Sequence, residues 1–227
     1  MFGLEKGWRV IGAGVTIVFA LVLACGQPEG DASGEPVTLQ LFNGRDLDGW
    51  VPVLEEENTD PMKTWSVQDA TLKCTGEPNG YIRTDRSFSD YFLVVEWRWP
   101  ENPGNSGVLL HLQKGDKIWP YCIEAQLKAE NAGDFYFMEG SKGTVEQARV
   151  NPERSINTKK LQAAENPPGE WNKYEITSID GTLVLVVNGK LVNYAVDSEP
   201  RQGHIALQSE GAPIEFRTVE LTPIRLN

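Results

Sequence analysis

The sequence predicts an all-β domain, an antiparallel sandwich. Three observations carry this. Several segments alternate apolar and polar residues with the two-residue period of a strand. Asn188-Gly189 sits between two apolar runs, and an Asn-Gly pair suits a tight hairpin because both turn positions need positive φ. No segment after the amino-terminal leader carries a long amphipathic helical pattern.

The elements follow in order. Tyr91 to Trp99 has an apolar odd face of Tyr91, Leu93, Val95, Trp97 and Trp99. Its even face ends in Glu96 and Arg98, so these two are read as facing a groove. Gly107 to Gln113 buries Val108, Leu110 and Leu112, and by the same alternation presents His111 and Gln113 on the other face. Cys122 to Lys128 alternates most informatively. Ile123, Ala125 and Leu127 suit a core, while Glu124, Gln126 and Lys128 line a polar groove or a solvated face. Lys173 to Ile179 and Leu183 to Val187 are strands, the second leading through the Asn-Gly turn to Leu191, Val192 and Tyr194. His204 to Gln208 and Ile214 to Leu221 close the sheet, with Ile205, Leu207, Ile214 and Phe216 in the core. Ala129 to Glu170 is long for a connection and rich in Gly, Asn, Lys and Glu, which marks a functional or mobile excursion. A short helix is expected near Leu161.

The ends bound the setting. Lys6 and Arg9 precede an apolar run, Val10 to Ala24, with the shape of a secretory leader rather than a stable span. Val22-Leu23-Ala24-Cys25 has the form of a bacterial lipobox, so residues 1–24 are read as a lipoprotein signal peptide and Cys25 as the lipidated residue. Gly26 follows where an inner-membrane retention signal would place Asp. The expected location is the bacterial cell envelope, on the outer membrane, facing the periplasm or the surface. Residues 25–36 form a small, polar, Gly/Pro-rich tether. Residues 37–227, about 190 residues, make one domain. The net charge is −11; the leader carries +1 and leaves −12 on the remainder. With no basic cluster, nucleic acid is excluded as a partner and the membrane is touched through the lipid anchor only. A neutral ligand such as a small carbohydrate fits. Cys74 shares a face with Leu72, whereas Cys122 shares the polar face of Glu124, which disfavours a disulfide between them.

Several motifs now line up. Leu41-Phe42-Asn43-Gly44-Arg45-Asp46-Leu47-Asp48-Gly49-Trp50 opens the domain. Asn105-Ser106-Gly107-Val108, Glu124-Ala125-Gln126-Leu127-Lys128 with Asn131 to Phe135, Gly169-Glu170-Trp171-Asn172, Val187-Asn188-Gly189, Gly203 to Gln208 and Pro213 to Arg217 follow. In this order they resemble the 3-keto-disaccharide hydrolase family over roughly Val37 to Leu226. The resemblance implies a concanavalin A-like jelly roll of two curved antiparallel sheets with a groove on the concave one. It also implies cleavage of glycosides already oxidised to a ketone at sugar carbon 3, by hydrolysis or by elimination and hydration. Family members often carry His after the Leu-Gln pair. Here the turn reads Ser209-Glu210-Gly211, so any role of that position passes to Glu210.

The residue types fit this chemistry better than an ordinary glycosidase. Glu124, Gln126 and Lys128 put one carboxylate where the β-glucanases of this fold place several, and a conventional mechanism needs two. Glu96 or Glu210 would have to supply the second. A 3-keto sugar needs only one base for the acidified hydrogen on carbon 2 and a cation or donor for the enolate oxygen. Glu124 or His111 is the candidate base, Lys128 or Arg98 faces the enolate, and Gln126 and Gln208 hold hydroxyls. Trp119 lies near a turn and is a candidate platform for a sugar ring. The competing readings are a solvated Glu124–Lys128 pair, a structural His111, and a non-catalytic carbohydrate-binding module of the same fold. Two histidines without ligand spacing give no metal site, and no cofactor is implied; a calcium ion held by loop carboxylates is compatible with the fold class.

Overall fold

The computed structural model describes residues 27–28 (backbone only), 37–56, 58–113, 116–154 and 156–225. The signal-peptide reading and the lipidation of Cys25 lie outside the described residues, as does most of the tether. The strands are β1 (Gln27–Pro28), β2 (Leu39–Gln40), β3 (Trp50–Leu54), β4 (Trp65–Gln68), β5 (Thr71–Cys74), β6 (Gly80–Thr84), β7 (Tyr91–Arg98), β8 (Gly107–Leu112) and β9 (Cys122–Gln126). There follow β10 (Phe135–Met138), β11 (Lys142–Thr144), β12 (Asn157–Thr158), β13 (Asn172–Ile179), β14 (Thr182–Val187), β15 (Lys190–Glu199), β16 (His204–Ser209) and β17 (Ile214–Arg225). One four-residue helix, α1 (Pro61–Thr64), is capped by Asp60, whose carboxylate accepts from Met62 N.

Two antiparallel sheets face each other, as the jelly-roll expectation requires. The larger has the order β11-β15-β14-β13-β7-β17-β5-β4, with β1 and β2 pairing onto β17. The smaller has the order β12-β10-β9-β8-β16-β6-β3. The apolar faces fill the space between them. From the larger sheet come Leu93, Val95, Trp97, Tyr174, Ile176, Leu185 and Phe216; from the smaller come Ile82, Val108, Leu110, Ile123, Ala125, Phe135, Ile205 and Leu207. Asn188 and Gly189 have φ of 49° and 75°, the hairpin that their identity demands. Cys74 and Cys122 are both buried and unbonded.

The excursion from Ala129 to Glu170 is where the sequence reading needs correction. It contains β10 and β12, which extend the smaller sheet beyond β9. Phe135 and Phe137 point into the core, so Tyr136 and Met138 point out. No helix forms at Leu161 among the described residues; its backbone N–H instead donates to Val192 O at 2.7 Å.

A second correction concerns β8. His111 has φ of 54° and sits in a bulge where the pairing with β16 shifts register. The bulge inverts the alternation beyond it. Leu110 stays in the core, but Leu112 joins Tyr81, Leu109, Cys122 and Ala206 in a smaller cluster on the outer face. His111 turns inward. Gly203 permits this: a Cβ there would stand 2.3 Å from the His111 carbonyl carbon.

Candidate active site

The outer face of the smaller sheet carries a hollow of about 420 Å³. Its floor is set by strand register. Tyr136 of β10 pairs with Glu124 of β9, and Gln126 of β9 pairs with Gly107 of β8. Gln208 of β16 lies on the next strand, one residue from the Leu207–Val108 pair. Two segments raise the walls. Residues 116–121 are tied down by Tyr81, whose hydroxyl donates to Lys117 O at 3.0 Å, and by the Arg83–Asp116 ion pair at 3.2 Å. This segment presents Trp119. On the opposite side Asn157 and Lys160 hold the chain to the buried Asp134, and Ile156 O accepts from Phe137 N. That segment presents Arg154, whose guanidinium lies 5.3 Å over the Tyr136 ring. The Asn105–Glu210 bridge closes one end, where Lys128 also reaches the hollow.

Glu124 is the central group. It is 5 % exposed, and its Oε1 has no hydrogen-bond partner among the described residues. Burial pushes its carboxyl up to about 8, the charge of Glu210 adds to this, and Arg154 opposes it. Glu210 is also raised, by burial, against a hydrogen bond from Asn105 and the charges of Lys128 and Arg154. Two carboxyls with different surroundings therefore share one hollow. Gln208 Oε1 and Asn105 Oδ1 are likewise buried and unpartnered among the described residues. Glu124 and Asn105 line the hollow and Gln208 does not; the two unmatched oxygens on the lining are costly on folding and want donors, which a polyhydroxyl ligand supplies. Gln126 is committed elsewhere: its Oε1 accepts from Leu127 N and Lys128 N at 2.8 and 2.6 Å, which leaves its amide N–H groups for a ligand.

The structure thus brings together Glu124, Gln126, Lys128, Glu210 and Trp119. Three other candidates are displaced. His111 lies between the sheets, its Nδ1 2.8 Å from Pro200 O, its Nε2 3.3 Å from Ser178 Oγ, and its ring edge-on to Tyr91. Burial lowers its pKa, so it is a neutral structural histidine. Glu96 and Arg98 lie on the outer face of the larger sheet. Glu96 accepts from Arg217 through both oxygens; Arg98 pairs with Glu215 at 2.7 Å, and the Arg98 and Arg217 guanidiniums each lie 4.6 Å from the centre of the Trp171 ring. Parity gave their face correctly but could not say which sheet β7 joins. Tyr136 and Arg154 were missed. The Phe-Tyr-Phe-Met alternation was the available signal for Tyr136; Arg154 reaches the hollow by a loop path that no local pattern encodes. Among the described residues, no three His, Cys, Asp or Glu side chains gather as a metal site.

A two-sheet jelly roll with a polar, carboxylate-floored hollow on one sheet is the architecture of carbohydrate-active proteins. The chain belongs to the 3-keto-alpha-glucoside-1,2-lyase-like domain family, whose model matches residues 38–222. Solved structures share the fold. A protein assigned as a glycosyl hydrolase from Parabacteroides distasonis superposes with a TM-score of 0.63 at 21% identity, covering 87% of this chain and 98% of that one. The carbohydrate-binding module CBM66 from Bacillus subtilis gives 0.54 at 15%, covering 76% and 94%. LamAcat from Zobellia galactanivorans gives 0.55 at 13%, covering 86% and 100%. No curated protein matches the sequence.

Proposed function

We propose that the protein cleaves 3-keto-glucosides by elimination across carbons 1 and 2. Glu124 takes the hydrogen on carbon 2 as a proton. The electron pair forms an enolate with the carbon 3 ketone, and Lys128 and Arg154 stabilise its oxygen. The enolate then collapses to a carbon 1–carbon 2 double bond, restores the ketone and expels the aglycone oxygen, which takes a proton from water. Addition of water to carbon 1 of the resulting enone completes a net hydrolysis. The observation that carries this reading is the buried Glu124 carboxyl with one unpartnered oxygen at the centre of a hollow walled by two cations. A strongly basic carboxylate suits abstraction from carbon better than an ordinary one. Membership of the family supports the keto-sugar substrate.

The test offers the protein 3-keto-glucosides and their unoxidised parents, following aglycone release and enone absorbance. Release from the keto substrates alone is expected, falling by about 100-fold or more in Glu124→Gln. Equal cleavage of the parents, or full turnover by Glu124→Gln, overturns the reading. One observation favours a second function: the two unmatched acceptors on the lining, of Glu124 and Asn105, and the exposed Trp119 also suit retention of a sugar without chemistry. That protein would bind the keto-glucoside and yield no product.

The amino-terminal sequence supports a lipid anchor at Cys25 and a cell-envelope location. Labelling with a radioactive fatty acid that Cys25→Ser abolishes is the expected result.

A further inference from the structure

We infer that the hollow is polarised along its length and that its apolar end, built by Trp119, Met138 and Ile156, is a subsite for an aromatic aglycone. This rests on the keto-glycoside reading and adds which leaving group the site prefers.

Strand register orders the hollow. Along β9, Cys122 pairs with Met138, Glu124 with Tyr136, and Gln126 with Gly107. Cys122 to Gln126 spans about 13 Å at about 3.3 Å per residue, room for two ring-sized groups end to end. At the Gln126 end stand Asn105 and Glu210, a polar enclosure for the keto sugar. At the Cys122 end the side chains change character. Trp119 is 44% exposed and Ile156 40%, two of only six large apolar side chains left exposed among the described residues. Ile156 is held against β10 by the hydrogen bond from Phe137 N to its carbonyl, and it lines the hollow together with Met138. Exposed apolar groups are unremarkable when scattered; two on the rim of one hollow, with a thioether between the strands, form a surface that wants cover. Glu124 lies between the two ends, where the scissile bond of such a ligand falls.

An aromatic ring matches the apolar end better than a second sugar. It covers the indole face and the thioether and brings no hydroxyl groups that need partners. The charged residue at this end, Glu139, faces Lys117 at 3.9 Å.

The test compares benzyl and methyl 3-keto-glucosides, whose leaving alcohols have similar acidity, in the wild-type protein, Trp119→Ala and Ile156→Ser. Wild-type kcat/KM should favour the benzyl substrate at least tenfold. Trp119→Ala should lose tenfold or more on benzyl and under threefold on methyl, and Ile156→Ser should shift the ratio in the same direction. Equal losses on both, no loss on benzyl, or a loss seen with a 3-keto-disaccharide and spared with benzyl overturns the subsite. Should the wild-type protein turn over neither substrate, the elimination reading fails while the subsite is judged by calorimetric titration with benzyl and methyl glucoside. Tighter benzyl binding that Trp119→Ala abolishes upholds it; indifference to the ring overturns it.

Discussion

Glu124 occupies the space that a side chain at position 107 would need. A Cβ on Gly107 would stand 2.5 Å from Glu124 Oε1 and 2.8 Å from its Cγ. The cross-strand glycine is therefore what lets the carboxyl lie flat over β8 at the centre of the hollow. Gly107 does not sit at positive φ, so the constraint is one of space. Gly107→Ala should push the carboxylate aside without breaking the sheet. Turnover should fall by about 10–100-fold, as a displacement near 1 Å does to a reacting group, while the melting temperature moves by only a few degrees. An unchanged kcat would mean that Glu124 does not act from this position.

The raised Glu124 carboxyl makes opposite predictions for activity and stability. As the base it must be ionised, so kcat/KM should climb with pH and level off above about 8. A Glu124 acting as acid would give the reverse limb. For stability, the unfolded chain releases this proton near 4.5 and the folded chain near 8. Between those values the native state binds the extra proton, so rising pH withdraws stability through this window and no more beyond it. The full loss is on the order of 5 kcal/mol before relaxation. Glu124→Gln cannot ionise. Its stability gain over wild type should grow from pH 4.5 to 8 in denaturant melts, together with the loss of turnover.

How much of this was legible depends on whether the signal was local. The face of Glu124, Gln126 and Lys128 followed from two-residue alternation on an unbroken strand. The side of Glu96 and Arg98 followed equally well, but alternation does not tell which of two sheets a strand joins. That is decided by pairing β7 with β13 and β17, strands about 75 or more residues away in the chain. His111 defeated the reading for another reason. A bulge adds one residue to the count and reverses every face after it, and the residue that makes room for it, Gly203, lies about 90 positions away, just before β16. Tyr136 was hidden inside a segment whose Gly- and Asn-rich flanks outweighed four strand residues.

Glu96→Gln and Arg98→Ala should leave turnover of the keto substrate unchanged, since both residues lie on the far face of the opposite sheet. The hydrogen bond from Arg217 is the main reason that the Glu96 carboxyl sits below its ordinary value, with Thr218 assisting. Solvent reaches the Glu96–Arg217 pair, so Glu96→Gln should cost only about 0–1 kcal/mol in urea unfolding, whereas Arg98→Ala leaves the buried Glu215 with Lys73 as its ion-pair partner and should cost more. A kinetic defect as large as that of Glu124→Gln would place the site on the wrong sheet.

His111 should matter to folding and not to chemistry. Its ring links β8 to Pro200 O and to Ser178 of the larger sheet, so it ties the two layers together. Burial depresses its pKa below the ordinary 6.5, and the native state holds it neutral. Above 6.5 neither state carries the charge and the contribution of the ring is complete. As pH falls through 6.5 the unfolded chain gains a proton that the native state refuses, and that contribution shrinks. His111→Gln should therefore cost about 1–3 kcal/mol at pH 8, with a smaller gap from wild type at pH 5. Turnover per folded molecule should stay near wild type at both pH values. Gly203→Ala, whose Cβ would collide with the His111 backbone, should destabilise more than the histidine substitution does, because backbone atoms cannot step aside. Chemical unfolding of the three proteins at the two pH values, with activity measured on the folded fraction, separates this role from that of a base: a kcat that collapses in His111→Gln while the fold holds would return His111 to the chemistry.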